Sequence, residues 1–238
     1  MSSALLKAVE INPPGTASAV IIWLHGLGAD GHDFEPLIPE LHIVREHGVR
    51  VVLPHAPSRP VTINGGMVMP AWYDITGLDF RSREDAAGIE QSRRQLEQLI
   101  DHELATGIPP RQVFLAGFSQ GGAVVLHTGL RHAQRLGGLI VLSAYLPLPA
   151  SLAAGASAAN ADVPVFMAHG VADPVVPYAL GAASRALLEQ AGYPVDWFSY
   201  PMQHAVCMEE IADLRAWLLV RLSAAGGDLN AQEQRPGG

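Results

Sequence analysis

Along this chain, short continuous apolar runs alternate with longer stretches whose apolar residues return every three or four positions. The runs at 18–24, 49–53, 113–116, 139–143 and 163–168 have the length of strands and are apolar on both faces, which predicts strands buried within a sheet. Residues 4–11 and 195–200 add two further strands. Helical spacing runs through Phe34, Leu37, Ile38, Leu41 and Val44, then through Ala86, Ile89, Leu96, Leu99, Ile100 and Leu104. It returns over 178–191, and at Val206, Ile211, Leu214, Trp217 and Leu218. Strand and helix alternating in this way predict an α/β domain whose mostly parallel sheet is covered by helices on both faces. One such domain over residues 1–222 absorbs the whole pattern, and the Gly-rich, polar segment 223–238 is expected to be a disordered tail.

Turn residues refine the boundaries. Asn12-Pro13-Pro14-Gly15 is expected to send the opening strand back into 18–24 as a β-hairpin, and Pro36 and Pro39 restrict where the next helix can begin. Asn64-Gly65-Gly66 between Val61-Thr62-Ile63 and Met67-Val68-Met69 predicts a small hairpin. The whole segment 57–80 is long for a connection and carries Met67, Met69, Trp72, Tyr73, Leu78 and Phe80. Segments of that length often serve as lids or binding walls, which makes Trp72, Met69 and Leu78 candidates for lining a substrate slot. Burial in a satellite core explains the same residues equally well. Ser82 followed by Asp85 resembles a capping box for the helix that ends before Gly107 and Pro109-Pro110, and 147–160 reads as a surface excursion.

The stretch 112–132, QVFLAGFSQGGAVVLHTGLRH, stands out chemically. A short strand, the sequence Gly117-Phe118-Ser119-Gln120-Gly121 and a helix through Ala123, Val124, Leu126, His127 and Leu130 put Ser119 at a strand-to-helix turn. Glycines there allow strained backbone angles and close approach, and the helix start points free N–H groups at whatever the serine attacks. A serine hydroxyl is a poor nucleophile unless it is held in such a place beside a base. An ordinary glycine turn is the plainer account, and the flanking strand and helix are what favour a nucleophile.

Composition removes several alternatives. A net charge of −8 and scattered basic residues argue against nucleic-acid binding. The single Cys207 excludes an internal disulfide framework and a thiolate zinc cluster, and is read as packing on a helix. There is no twenty-residue apolar run and no signal-like amino terminus, which sets the expectation of a cytoplasmic protein without a transmembrane segment. His25-Gly26-Leu27-Gly28-Ala29-Asp30-Gly31 contains G-x-G-x-x-G, but the next strand runs into Pro54-His55-Ala56-Pro57 and supplies no acidic residue for a ribose. The loop is better read as the source of one oxyanion-binding amide, Leu27 N–H, with Gln120 N–H as the second.

A nucleophilic serine needs an imidazole and an acid. Ten histidines compete, and His25 and His169 each lie at a strand end before a glycine. Chain order decides, because hydrolases with this turn run serine, acid, histidine, each on a loop at the carboxyl end of a strand. Asp173 and His204 fit, whereas Asp162 precedes its strand and Asp196 lies within one. A metal hydrolase drawing on His25, His32, Asp33 and His55 lacks any recognised ligand spacing, so no metal is expected. The remaining alternatives are an inactive α/β scaffold that binds a partner, and a lysophospholipase.

With those residues in place, LHGLGADG at 24–31, NGGM and AWYDI within 64–75, GFSQGG at 117–122 and HGVADPVVP at 169–177 resemble the bacterial carboxylesterase and acyl-protein thioesterase family of α/β-hydrolases. The resemblance spans most of the chain. It implies an α/β-hydrolase fold and a cofactor-free serine hydrolase acting on short or medium acyl esters or thioesters, with acylated proteins or lysophospholipids among the substrates. It further implies Ser119, Asp173 and His204 as triad, Leu27 and Gln120 as amide donors, an acyl site bordered by the loop around Trp72, and homodimers as one arrangement. The chain departs from the family at Gln203, where glycine is frequent, and over 150–161, which has no match.

Overall fold

The computed structural model describes residues 5–77 and 84–223 in full and the backbone alone for 224–233. Seven strands form the central sheet: β1 (Ala8–Ile11), β2 (Ala19–Leu24), β3 (Val49–Pro54), β6 (Val113–Phe118), β7 (Gly138–Leu142), β8 (Val165–Gly170) and β9 (Val195–Tyr200). Between the third and fourth of these in chain order, β4 (Ser58–Val61) and β5 (Met67–Pro70) make a separate hairpin. The helices are α1 (Val44–His47), α2 (Ala86–Ala105), α3 (Gln120–Gly129), α4 (Leu152–Gly155), α5 (Tyr178–Gln190) and α6 (Met208–Glu233).

Spatial order in the sheet is β1-β3-β2-β6-β7-β8-β9, parallel throughout except for β1 against β3. All six residues of β2 are buried, and they alternate between two cores. Val20, Ile22 and Leu24 face α2, α3 and α5, while Ala19, Ile21 and Trp23 face residues 35–41 and α6. Such two-sided burial is why the parallel strands read as unbroken apolar runs. No helix among the described residues is long and apolar enough to cross a membrane.

Three expectations change, while the excursion 147–160 keeps its mostly exposed place. β1 does not form a hairpin with β2; it pairs antiparallel with β3, in the register Ala8↔Pro54 to Ile11↔Val51. The fully buried β2 needs a covered place with a strand on each side, whereas β1, with no buried residue, suits the edge. The helix expected over 33–46 is a 3₁₀ helix, Glu35–Leu41, followed by the single turn of α1. Pro39 lies inside it and cannot support an α-helical ladder, and His42 closes it in a left-handed conformation with φ 50°. The excursion 147–160 is fastened from beneath by the buried Asn160, whose Oδ1 accepts from Leu136 N–H at 2.9 Å and whose Nδ2 donates to His132 O at 2.7 Å. Finally, the α6 backbone continues past Leu222 into the segment read as a tail. Asp85 caps α2 by accepting from Gly88 N–H at 2.9 Å, whereas Ser82, Leu78 and Phe80 lie outside the described residues.

Candidate active site

Ser119 sits between β6 and α3 with φ 55° and ψ −119°, a conformation that a non-glycine residue keeps only when its surroundings enforce it. The enforcing contacts are visible. Ser119 N–H donates to Leu142 O at 2.8 Å, and its carbonyl accepts from Ala123 N–H at 3.2 Å, so the turn is fastened to β7 and to the first turn of α3. A side chain on Gly121 would lie 2.5 Å from Leu24 O, which is why this position admits no other residue without displacing β2.

The hydroxyl of Ser119 lies 2.9 Å from His204 Nε2, and His204 Nδ1–H donates to Asp173 Oδ2 at 2.7 Å. That second bond keeps the proton on Nδ1 and leaves Nε2 as an acceptor for the serine. Asp173 is held in turn by two backbone donors on Oδ1, Val175 N–H at 2.8 Å and Val176 N–H at 2.9 Å. Its side chain is fully buried, while His204 is 15 % exposed and packs on the Phe118 ring at 4.7 Å. The loops after β6, β8 and β9 therefore converge, and the three side chains chosen from chain order are brought into one hydrogen-bonded row.

Beside this row lies the loop that follows β2. A methyl group built on Gly26 would touch the Phe118 ring at 3.2 Å and the Ser119 Cβ at 3.5 Å, so the loop runs against the serine. Most of its amides are committed: Gly28 N–H donates to Pro70 O at 2.9 Å, Ala29 N–H to Gly26 O at 3.3 Å and Gly31 N–H to His55 Nδ1 at 3.1 Å. Leu27 N–H has no partner among the described residues. Gln120 N–H, at the first position of α3, has none inside its own helix.

The other sequence candidates fall in different places. Trp72 is 1 % exposed, its indole N–H donating to His25 O at 2.9 Å. Met69 is half-buried and carries its sulfur 3.7 Å from where a Gly28 side chain would stand. Leu78 lies outside the described residues. A groove of about 600 Å³ between Tyr145, Leu146, Leu180, Leu187 and Glu84 contains none of Ser119, Asp173 or His204. Of the residues weighed as metal ligands, His25 has both ring nitrogens engaged, with Gly26 O at 2.7 Å and Ala56 N–H at 3.0 Å, and burial lowers its pKa so that it stays neutral. Among the described residues no group of three His, Cys, Asp or Glu side chains is placed to hold a metal ion.

Two residues matter here beyond the sequence reading. His169 is fully buried, donates from Nε2 to Val176 O at 2.8 Å and so steadies the segment that holds Asp173. Burial holds its pKa below the ordinary histidine value. The Gln120 side chain is also buried, its carboxamide accepting from Trp72 N–H at 2.8 Å and donating to Tyr73 O at 2.7 Å. A histidine before a strand-end glycine was noticeable in the sequence, but nothing there foretold the contacts of the glutamine side chain.

A family model described as Phospholipase/Carboxylesterase matches residues 7–221. The chain belongs to the phospholipase/carboxylesterase family. It is an α/β-hydrolase by fold and a hydrolase by class. Among its relatives, acyl-protein thioesterase 1 of Neurospora crassa is 42 % identical over 214 residues, covering 86 % of this chain and 87 % of that protein. Acyl-protein thioesterase 1 of Cryptococcus neoformans is 37 % identical over 234 residues, covering 91 % and 98 %. These relatives are fungal, so the bacterial label attached to the resemblance is dropped. Among solved structures, Arabidopsis thaliana SOBER1 superposes with a TM-score of 0.81 at 31 % identity, covering 86 % of this chain and 99 % of that one. Zea mays acyl-protein thioesterase 2 gives 0.80 at 29 % identity, covering 91 % and 99 %.

Proposed function

We propose that this enzyme cleaves acyl thioesters and carboxylic esters through an acyl-enzyme on Ser119, with His204 as general base and acid and Asp173 as its orienting partner. The observation that carries the reading is the unbroken row Asp173–His204–Ser119, at 2.7 and 2.9 Å, ending beside two amides with no competing acceptor among the described residues. The names of the fungal relatives favour an acyl thioester on a protein as the substrate.

In this mechanism His204 Nε2 takes the Ser119 proton as the oxygen attacks the acyl carbon. The carbonyl electron pair moves onto oxygen, where Leu27 N–H and Gln120 N–H receive it. Asp173 stabilises the imidazolium, which then gives its proton to the departing thiolate or alkoxide. Water enters, loses a proton to His204 and attacks the acyl-serine, and collapse of the second tetrahedral intermediate returns the proton to Ser119.

Replacing Ser119 with alanine tests the reading. Turnover of a thioester and of a matched ester should fall by about six orders of magnitude, and a fluorophosphonate that labels the parent enzyme should leave Ser119→Ala unmodified. Hydrolysis by Ser119→Ala within tenfold of the parent rate would refute it. Assaying a lysophospholipid of equal chain length alongside ranks the three leaving groups.

A further inference from the structure

The two candidate oxyanion donors come from distant parts of the chain, yet an oxyanion hole works only if its donors keep their direction and separation to within a fraction of an ångström. Something must join them. Leu27 N–H belongs to the peptide plane that also contains Gly26 C=O, and in a trans peptide those two groups point in opposite directions. His25 Nδ1–H donates to that carbonyl at 2.7 Å, so fixing the imidazole fixes where Leu27 N–H points. The imidazole is itself fixed, because its Nε2 accepts from Ala56 N–H at 3.0 Å. One residue pair then spans the gap to the other donor. The Trp72 indole N–H reaches His25 O at 2.9 Å, and the Gln120 carboxamide holds Trp72 N–H at 2.8 Å and Tyr73 O at 2.7 Å. Trp72 O accepts from Ser92 Oγ, which ties the middle of the connection to α2.

We propose that His25, Trp72 and the side chain of Gln120 form one hydrogen-bonded brace that sets the direction and spacing of the Leu27 and Gln120 amides. Trp72 is then a positioning residue acting through His25, not a wall of the substrate slot. All three side chains are at most 2 % exposed, so water does not compete for these bonds. The inference rests on reading Ser119 as the nucleophile and the two amides as the oxyanion donors.

Trp72→Phe keeps an aromatic ring but removes the indole N–H together with the pyrrole part of the ring, and Gln120→Leu puts an apolar side chain, one bond shorter, where the carboxamide was and removes both of its bonds. Each is assayed with an ester series and with an alkyl trifluoromethyl ketone. The ketone carbon takes the Ser119 oxygen, its carbonyl pair becomes an oxyanion, and the serine proton passes to His204. A misaimed hole weakens oxyanion stabilisation, so kcat should fall about tenfold for Trp72→Phe and about a hundredfold for Gln120→Leu. KM should hold steady, and ketone affinity should drop by the same factor as kcat. Two results overturn the brace: unchanged kcat and ketone affinity with only a lower melting temperature, or a raised KM at unchanged kcat, which would return Trp72 to the substrate wall. If Gln120→Leu does not fold, Trp72→Phe carries the test. Ser119→Ala measured in parallel keeps the levels apart, because an active Ser119→Ala refutes the proposed function itself, whereas an inactive one beside a normal Trp72→Phe refutes the brace alone.

Discussion

Ser119 stands between two regions built on different principles. On the amide side, the contacts joining His25, Trp72 and Gln120 are hydrogen bonds between neutral groups, and His25 is kept neutral by burial. On the imidazole side, the side chain that holds His204 is a fully buried carboxyl, steadied by two backbone N–H groups and flanked by His169 Nε2 at 3.5 Å. Neutral bonds fix direction whatever the charge state of the reaction. A carboxylate adds something that matters when the imidazole becomes cationic, namely a compensating charge in a place water does not reach. One side supplies aim and the other supplies charge.

Removing the charge should therefore cost far more than loosening the aim. Asp173→Asn places an amide opposite His204 Nδ1, and if its NH₂ faces the ring the imidazole proton moves to Nε2, where it can no longer accept from Ser119. Steady-state assays should find kcat lower by about four orders of magnitude with little change in KM, against the tenfold expected for Trp72→Phe. If Asp173→Asn cost no more than Trp72→Phe, the division between the two sides would be mistaken.

How much of this was legible in the sequence depended on whether a residue's task is local. The turn at Ser119 was readable because its glycines answer in part to neighbours a few residues away: a side chain on Gly117 would lie 2.4 Å from the Gly121 carbonyl carbon. The convergence of Asp173 and His204 on Ser119 was readable from chain order, since loops at the carboxyl ends of parallel strands meet at one edge. Pairing of β1 was not, because amphipathic spacing reports which face of a strand is buried and says nothing about its neighbour. The same limit hid the brace. The sequence left Trp72 between an apolar slot and a satellite core, and the bond from its N–H to the carbonyl of His25 joins distant residues and so leaves no period in the sequence. Asn160 went unseen for that reason as well.

Two buried titratable groups outside these regions are shifted in opposite directions. Glu210, in the first turn of α6 and a few residues beyond His204, is fully buried, and burial pushes its pKa up to about 8 against the opposing pull of the Cys207 backbone N–H. Its neighbours in charge are Tyr200 and Cys207. The folded protein therefore binds a proton that the unfolded chain has released above pH 4.5, so stability falls as pH rises toward 8. Glu210→Gln removes this, and its melting temperature should match the parent at pH 4.5 and exceed it by about 5–10 °C at pH 8.

His127, on the same helix as Gln120, shows the reverse and smaller effect. Burial lowers its pKa to about 4, with Arg131 adding to the shift and Glu90 opposing it, and its Nδ1 has no partner. Here the unfolded chain takes up the proton first, as pH drops below 6.5, so the contribution present at neutral pH is lost on the way down to 4. Taken alone, this group should take roughly 5 °C off the parent's melting temperature over that interval, a contribution that His127→Gln removes. Between pH 4.5 and 6.5 the two slopes oppose each other in the parent, which should make its stability nearly flat there. Each variant uncovers the slope of the other: His127→Gln should decline steadily as pH rises through this window, and Glu210→Gln should climb. Thermal melts of both variants in matched buffers read this directly, and two parallel curves would mean that the buried groups do not titrate against each other across the sheet.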